Sequence, residues 1–143
     1  MNKTQSFNNT NQTYQWFIFD AESQPLGRLS SEIAKVLLGK NSIKYTPGQS
    51  LGQGVIVINA KKTIVTGKKE TDKFYYRHSG TPGGLTVETL HELRNRKPSR
   101  IIEQSVKRML PKNSLGRELL RKLKIYDSSN HPHLAQNPIA IVN

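Results

Sequence analysis

The sequence lacks cysteine altogether, which excludes disulfide bonds, thiol catalysis and metal sites built on cysteine. Acidic residues are scarce: 10 Asp and Glu stand against 22 Lys and Arg, a formal net charge of +12. Long hydrophobic runs are also missing. The longest runs have four residues, as in WFIF at 16–19 and VIVI at 55–58, and fall far short of the roughly 20 residues of a membrane-spanning helix. We therefore expect no membrane partner and no active site built on paired carboxylates.

The excess of positive charge predicts a polyanionic partner. Residues 94–124 hold eleven cations and two acids, a net charge of +9, so most of the excess lies in one segment. A solvated surface usually mixes charges of both signs, and this segment barely does. The composition favours nucleic acid over an anionic membrane surface or an acidic protein.

The hydrophobic pattern of the first half is typical of an α/β domain. QWFIF, which ends near Asp20, and GVIVIN at 54–59 predict buried strands. KFYYRH at 73–78 predicts a strand at a sheet edge, and 61–66 fits a short helix or a strand. Strands interleaved with helices indicate a layered fold with a mainly parallel sheet. The first helix is predicted from apolar residues at helical spacing, namely Leu26, Leu29, Ile33 and Leu37.

The second half of the chain predicts three helices. The first starts at Thr86 and is broken by Pro98, the second is stopped by Pro111, and the third is capped by Ser114. The second helix is expected to bury Ile101, Ile102, Ser105, Val106, Met109 and Leu110. The third is expected to bury Leu115, Leu119, Leu120 and Leu123.

The two ends of the chain differ in composition from the region between them. The start, MNKTQSFNNTNQTYQ, is rich in Asn, Thr and Gln and predicts a flexible polar tail over residues 1–14. The end contains two prolines and predicts an irregular extension over 127–143. Residues 15–126 are expected to form a single globular domain.

The basic segment provides most of the candidate binding residues. Arg117, Arg121 and Lys124 stand at i, i+4 and i+7, a spacing that predicts one cationic stripe on the third helix, opposite its leucines. The preceding helix and its connection add further outward-facing cations. The candidates in this segment are Lys107, Arg108, Lys112, Arg117, Arg121, Lys122 and Lys124.

A second basic group lies in AKKTIVTGKK and the strand and loop that follow it. Gly67 would let the backbone approach a phosphate closely. The segment is not a P-loop, because the upstream glycine is missing and Lys69 stands where Ser or Thr belongs. A tyrosine at 75 or 76 would either stack on a base or pack in the core. The candidates here are Lys61, Lys62, Lys68, Lys69, Arg77 and His78.

Signals for catalysis or for a cofactor are weak. His131 and His133 form an H-x-H pair with no third metal-ligating residue close by, so we predict no metal site. The motifs G-x-S-x-G and G-x-G-x-x-G do not occur. We therefore predict no enzyme activity, no cofactor and no small-molecule substrate.

Several motifs occur in one order: DAESQPLGRLSSEIAKVLLGK, YTPGQSLGQGVIVINAKKTIVTGKK, YYRHSGTPGG, VKRMLPKNSLGRELLRKLKIY and HPHLAQNP. Together they resemble the large-subunit ribosomal protein thirteen family of the bacterial and plastid type, over about residues 14–138. MLPKNSLGR is the most specific of them. RHSGTPGG and HPHLAQNP are most similar to cyanobacterial and plastid members. Arg108 departs from the family pattern, which commonly has glycine before MLP.

The resemblance implies a three-layer α/β/α domain with a four-stranded, mainly parallel sheet. It implies a structural constituent of the large ribosomal subunit that binds large-subunit ribosomal RNA, supports early subunit assembly and lies beside other ribosomal proteins. The family's binding segments fall on residues 107–124 and 78–84. The plastid-like motifs imply the plastid (chloroplast) stroma, with the bacterial cytoplasm as the alternative. A regulatory RNA-binding module outside the ribosome and a small nucleotide-using enzyme are rival functions.

Overall fold

The computed structural model describes residues 14–141, so the tail predicted over 1–14 lies outside the described residues except for Tyr14. Ala60–Lys62 and Leu134–Gln136 are 3-10 turns. The helices and strands follow in the order β1 (Trp16–Asp20), α1 (Leu26–Leu37), β2 (Gly54–Ile58), α2 (Lys69–Asp72), β3 (Phe74–His78), β4 (Leu85–Thr89), α3 (Leu90–Arg96), α4 (Ser99–Met109), α5 (Ser114–Arg121), β5 (Leu123–Ile125) and β6 (Ile139–Ile141).

Four strands form a parallel sheet in the order β5-β2-β1-β6. β1 pairs with β2 along its whole length, from Trp16 opposite Gly54 to Asp20 opposite Ile58. The first four residues of β2 are all buried, as expected for a central parallel strand that is covered on both faces. A parallel four-stranded sheet with helices packed on it confirms the predicted α/β, three-layer α/β/α fold.

The main core lies between one face of the sheet and the helices. Phe19 and Val57 of the sheet, Leu29 and Ile33 of α1, and Ile102 of α4 belong to one apolar cluster, and each is at most 1% exposed. Burial of one such side chain contributes about 1.5–3 kcal/mol. This packing holds α4 against α1 and leaves the opposite side of α4 for solvent or a ligand.

The second face of the sheet is contacted by the segment that follows β5. The ring of His133 stacks on Trp16 of β1, with centroids 5.8 Å apart and planes 11° from parallel. The hydroxyl of Tyr126 lies 2.7 Å from Nε2 of His133. Residues 139–141, inside the segment predicted to be an irregular extension, form β6 beside β1. Three apolar residues are too short a run to predict a strand from its pattern.

β3 and β4 form an antiparallel hairpin that stands apart from the main sheet. The prediction that a helix starts at Thr86 is therefore wrong, because α3 begins at Leu90. Thr89 is its cap: the Thr89 hydroxyl accepts the N–H of Glu92 at 3.2 Å, and the Glu92 carboxylate accepts the N–H of Thr89 at 2.8 Å. The β-branched residues before the cap favour the strand.

The third predicted helix ends earlier than its leucine spacing suggests. α5 stops at Arg121, and Leu123 and Lys124 lie on β5, which pairs with the buried strand β2. The predicted stripe of Arg117, Arg121 and Lys124 on one helix is therefore wrong. Pairing with a central strand overrides the helical spacing of this short segment.

The connection between α4 and α5 also differs in detail from the prediction. The cap of α5 is Asn113 rather than Ser114, since the Asn113 side chain accepts the N–H of Gly116 at 2.9 Å. Leu110 is buried as predicted, but Met109 is 42% exposed. Met109 is the last residue of α4, beyond the stripe that faces the core.

Candidate nucleic-acid interface

A cationic cleft of about 470 Å³ lies between the β3–β4 hairpin and α4. Two acids, Glu88 and Glu103, also line the cleft, so its charged side chains sum to +5. The cations that line it are Arg77, Arg96, Lys97, Arg100, Lys107, Arg108 and Lys112.

Helical periodicity positions the α4 wall of the cleft. Ile102 and Val106 are fully buried against the core, whereas Lys107 and Arg108 are exposed and Arg100 is half-buried. The apolar side of α4 therefore anchors the helix, and its charged side faces the hairpin. Cations on a rigid helix keep fixed relative positions, which suits a ligand with fixed charge spacing.

The cleft brings together four of the residues predicted from sequence: Arg77, Lys107, Arg108 and Lys112. It adds Arg96, Lys97 and Arg100, which belong to the basic segment but are not among the predicted binding residues. The signal that could have found them is the cation count of residues 94–124, which already includes all three.

Arg96 neutralises one of the two acids of the cleft. Its Nη2 donates to both carboxylate oxygens of Glu88, at 2.7 and 2.6 Å. The side chain of Glu88 is 28% exposed and that of Arg96 is 53% exposed. The pair therefore lies at the rim of the cleft, where water screens it.

Lys73 connects the cleft to the second basic group and is not among the residues predicted from sequence. Its Nζ lies 5.4 Å from the ring centre of Tyr75, in a cation–π contact. Burial lowers the pKa of Lys73 below its ordinary value of 10.5, and the charges of Arg108 and Lys69 lower it further. The smaller contributions of Arg108 and Lys69 place cations from the cleft and from the second basic group near Lys73.

The second basic group divides into two locations. Lys68 and Lys69 line a depression of about 550 Å³ beside the start of α1, together with Lys73. Lys61 and Lys62 lie on the turn after β2 and are exposed. Lys62 pairs with Glu22 at 2.8 Å, and the hydrogen bond to Glu22 raises the pKa of Lys62.

The cations of α5 and β5 point in different directions. Arg117 and Arg121 are exposed on α5. Lys124 is exposed on β5 opposite Ile56, and alternation along β5 turns it away from Leu123 and hence from the face of the sheet that packs against α1 and α4.

Lys122 is more enclosed than its neighbours. Its side chain is 20% exposed and lies 3.3 Å from a carboxylate oxygen of Glu118. It also donates to Oγ of Ser50 at 2.7 Å and lies 5.8 Å from the ring centre of Tyr14. These contacts join the end of α5 to the loop before β2.

The tip of the hairpin is a glycine-rich loop whose shape is fixed by His78. The ring Nδ1 of His78 accepts the N–H of Gly80 at 2.9 Å. Gly80 and Gly83 have φ of 94° and 74°, which side chains with a Cβ rarely adopt. Arg77 and His78 are neighbours on β3, so their side chains project from opposite faces of the hairpin.

Residues 14–141 contain no group of three or more His, Asp or Glu placed to hold a metal ion. The two histidines of the H-x-H pair pack instead with Tyr126, at centroid distances of 6.4 and 5.7 Å. Within the same residues, the helices are all too short or too polar to cross a bilayer.

Comparison with known proteins identifies the family. The family model described as Ribosomal protein L13 matches residues 14–132. The chain is 61% identical over 124 residues to the large ribosomal subunit protein uL13 of Gloeothece citriformis, covering 87% of this chain and 82% of that protein. It is 51% identical to the uL13 of Rippkaea orientalis, covering 99% and 94%. It is 56% identical to the protein named large ribosomal subunit protein uL13c of Guillardia theta, covering 89% of each. The chain belongs to the Ribosomal protein L13 family.

Proposed function

We propose that this protein is a structural constituent of the large ribosomal subunit, binding large-subunit ribosomal RNA and supporting early assembly of the subunit. The observation that carries the proposal is the cationic cleft between the hairpin and α4, combined with membership of a family whose relatives are named large ribosomal subunit proteins. The role is one of binding and positioning rather than of catalysis.

Phosphate neutralisation is the proposed mechanism. Lysine and arginine side chains displace the counterions condensed on RNA, and the release of these ions drives binding. The walls of the cleft belong to a hairpin and a core-packed helix, so the cations hold phosphates that the RNA must bring close together. Recognition of RNA in this way rests on backbone shape and sugar hydroxyls more than on base edges.

The proposed RNA-binding residues are the thirteen candidates of the sequence together with the cations that share their surface. The cleft group and the Lys68–Lys69 group meet at Lys73, so one RNA segment reaches both. We add Lys73, Arg96, Lys97 and Arg100 to Lys61, Lys62, Lys68, Lys69, Arg77, His78, Lys107, Arg108, Lys112, Arg117, Arg121, Lys122 and Lys124.

The proposed location is on the ribosome of a plastid stroma, with the bacterial cytoplasm as the alternative. Similarity to a protein named uL13c supports the first, and comparable similarity to cyanobacterial relatives supports the second. The other proposed partners are the neighbouring proteins of the large subunit.

Sedimentation of a cell lysate tests this function against a regulatory role outside the ribosome. After a wash in high salt, we expect the protein to remain with large subunits, in constant ratio to their RNA. Recovery of the protein in the light fractions alone would overturn the proposal and favour the regulatory module.

A further inference from the structure

The outer face of the β3–β4 hairpin is apolar and largely exposed, and Tyr76 on this face also contributes to the lining of the cleft. Tyr76 is 65% exposed and Leu85 is 57% exposed, and Phe74 and Val87 on the same face are about half exposed. Tyr75 lies on the inner face and is buried, because alternate residues of a strand face opposite ways.

Three rings stand in a row on this face. Phe74, Tyr76 and His78 alternate along β3, which spaces neighbouring rings by roughly 6.6 Å. Val87 and Leu85 on β4 lie directly opposite Tyr76 and His78 and form an apolar floor beside the rings. Ordered rings on an open strand surface are the platforms on which proteins stack unpaired RNA bases.

The charges around the rings favour RNA over a protein as the occupant. Glu88 is the single acid among residues 74–89, and it lies on the inner face in a pair with Arg96. Arg77 lines the cleft on the inner face, and Lys73 precedes the strand beside Tyr75. The hairpin has only two strands, which lie about 5 Å apart, so it is narrow. A nucleotide whose phosphate is bound at the rim of the cleft therefore reaches the outer face with its base.

His78 adds a polar group to the row. Its Nδ1 accepts the N–H of Gly80, so the neutral ring carries its proton on Nε2. The ring is exposed and held in one orientation by this bond. A held ring with an outward N–H donor stacks on a base or donates to one without first losing conformational freedom.

We propose that the outer hairpin face, Phe74, Tyr76 and His78 with Leu85 and Val87, binds unpaired bases of RNA by stacking. The inference deepens the proposed function and rests on it. The phosphates of the same RNA lie along the cleft, so one hairpin contacts the backbone with one face and the bases with the other.

Substitution of Tyr76 tests the inference, with in vitro transcribed large-subunit ribosomal RNA as the probe. Loss of one stacked base is worth about 1–3 kcal/mol, so Tyr76→Ala should weaken binding about 5- to 150-fold. The dependence of affinity on salt should keep its slope, because every phosphate keeps its cation. Tyr76→Phe should bind like the unchanged protein. Tyr76→Leu, which keeps apolar bulk without a ring, should resemble Tyr76→Ala.

Tyr45→Ala is the matched control, because Tyr45 is a tyrosine, 37% exposed, on the loop before β2, outside the hairpin. It should bind RNA like the unchanged protein, and urea unfolding checks that every variant is folded. Unchanged RNA affinity of Tyr76→Ala would overturn the stacking proposal. So would wild-type affinity of Tyr76→Leu, since apolar bulk would then suffice for RNA binding whereas stacking needs a ring. Failure of the unchanged protein to bind the RNA would instead overturn the proposed function.

Discussion

Arg96 donates two short hydrogen bonds to the carboxylate of Glu88 and so forms an ion pair with the single acidic residue of the hairpin. In the proposed complex with RNA, the same guanidinium is partly withdrawn from phosphate. Glu88→Gln should release Arg96 to the cleft. We expect tighter RNA binding and a salt slope steeper by roughly 0.7–0.9, the value of one additional neutralised phosphate.

Stability should change little in this variant, because the Glu88–Arg96 pair is partly exposed and such pairs contribute about 0–1 kcal/mol. A filter-binding titration over several salt concentrations measures the slope. Weaker binding of Glu88→Gln would show that the ion pair positions Arg96 for RNA rather than competing with it.

The cations that line the cleft are those expected to contribute most to RNA binding. Lys107→Ala and Arg108→Ala should each lower affinity and reduce the salt slope by roughly 0.7–0.9 for each phosphate that is no longer neutralised. Lys40→Ala is the matched control, since Lys40 is exposed just after α1, outside the residues that line the cleft. Equal reductions in affinity from Lys107→Ala and Lys40→Ala would mean that net charge acts without a defined site.

The sequence predicts β1, β2 and α1 well because their apolar patterns are strong and unambiguous. GVIVI is buried through its first four residues, and Leu29 and Ile33 meet the core at the predicted spacing. The parallel pairing of β1 with β2 follows from α1, which connects the two strands. Local pattern and tertiary packing agree in these elements.

The strand predicted at 73–78 is confirmed as β3, but β4 and β5 escape prediction because their patterns are short and also fit a helix. Val87, Leu90 and Leu93 have helical spacing, yet Val87 lies on a strand whose partner is β3. Lys124 fits the stripe of α5 but lies on a strand beside β2, about 70 residues earlier in the chain. The cleft is built by the hairpin, so its full membership requires the fold.

Leu119 is buried and Arg117 is exposed on the same helix, α5. Substitutions at the two positions should therefore separate effects on folding from effects on RNA binding. Leu119 is 1% exposed in the core, so Leu119→Ala should cost about 2–5 kcal/mol of unfolding free energy by leaving a cavity. The exposed pair Arg117→Ala with Arg121→Ala should change stability by less than about 0.5 kcal/mol and lower RNA affinity. Urea unfolding and RNA binding on the same proteins measure both. An unfolded arginine variant would make these cations structural.

The cap of α3 gives the fold a pH dependence. Hydrogen bonds from the Thr89 backbone and hydroxyl lower the pKa of Glu92 below its ordinary value of 4.5. A carboxyl group whose pKa is lowered by folding stabilises the folded state. This stabilisation is present in full above about pH 4.5 and is lost as the pH falls through the pKa of the folded state. Wild type should therefore lose stability relative to Glu92→Gln on acidification. If the unfolding free energies of the two proteins change with pH in the same way, the prediction is wrong. Thr89→Ala should lower the free energy of unfolding by about 1 kcal/mol at neutral pH, because it removes the cap.

Lys73 provides a direct report on RNA binding at the junction of the two basic groups. Burial, with Arg108 and Lys69 nearby, lowers its pKa, so the unfolded chain binds more protons than the folded chain just below pH 10.5. Folding stability should then rise with pH through that window. RNA phosphate favours the charged amine, so binding should raise the pKa of Lys73 back toward its ordinary value. NMR titration of ¹³C-methylated lysines measures this, with Lys40 as the internal control. A Lys73 signal that titrates at the same pH with and without RNA would place the phosphates elsewhere and divide the basic surface into two separate sites.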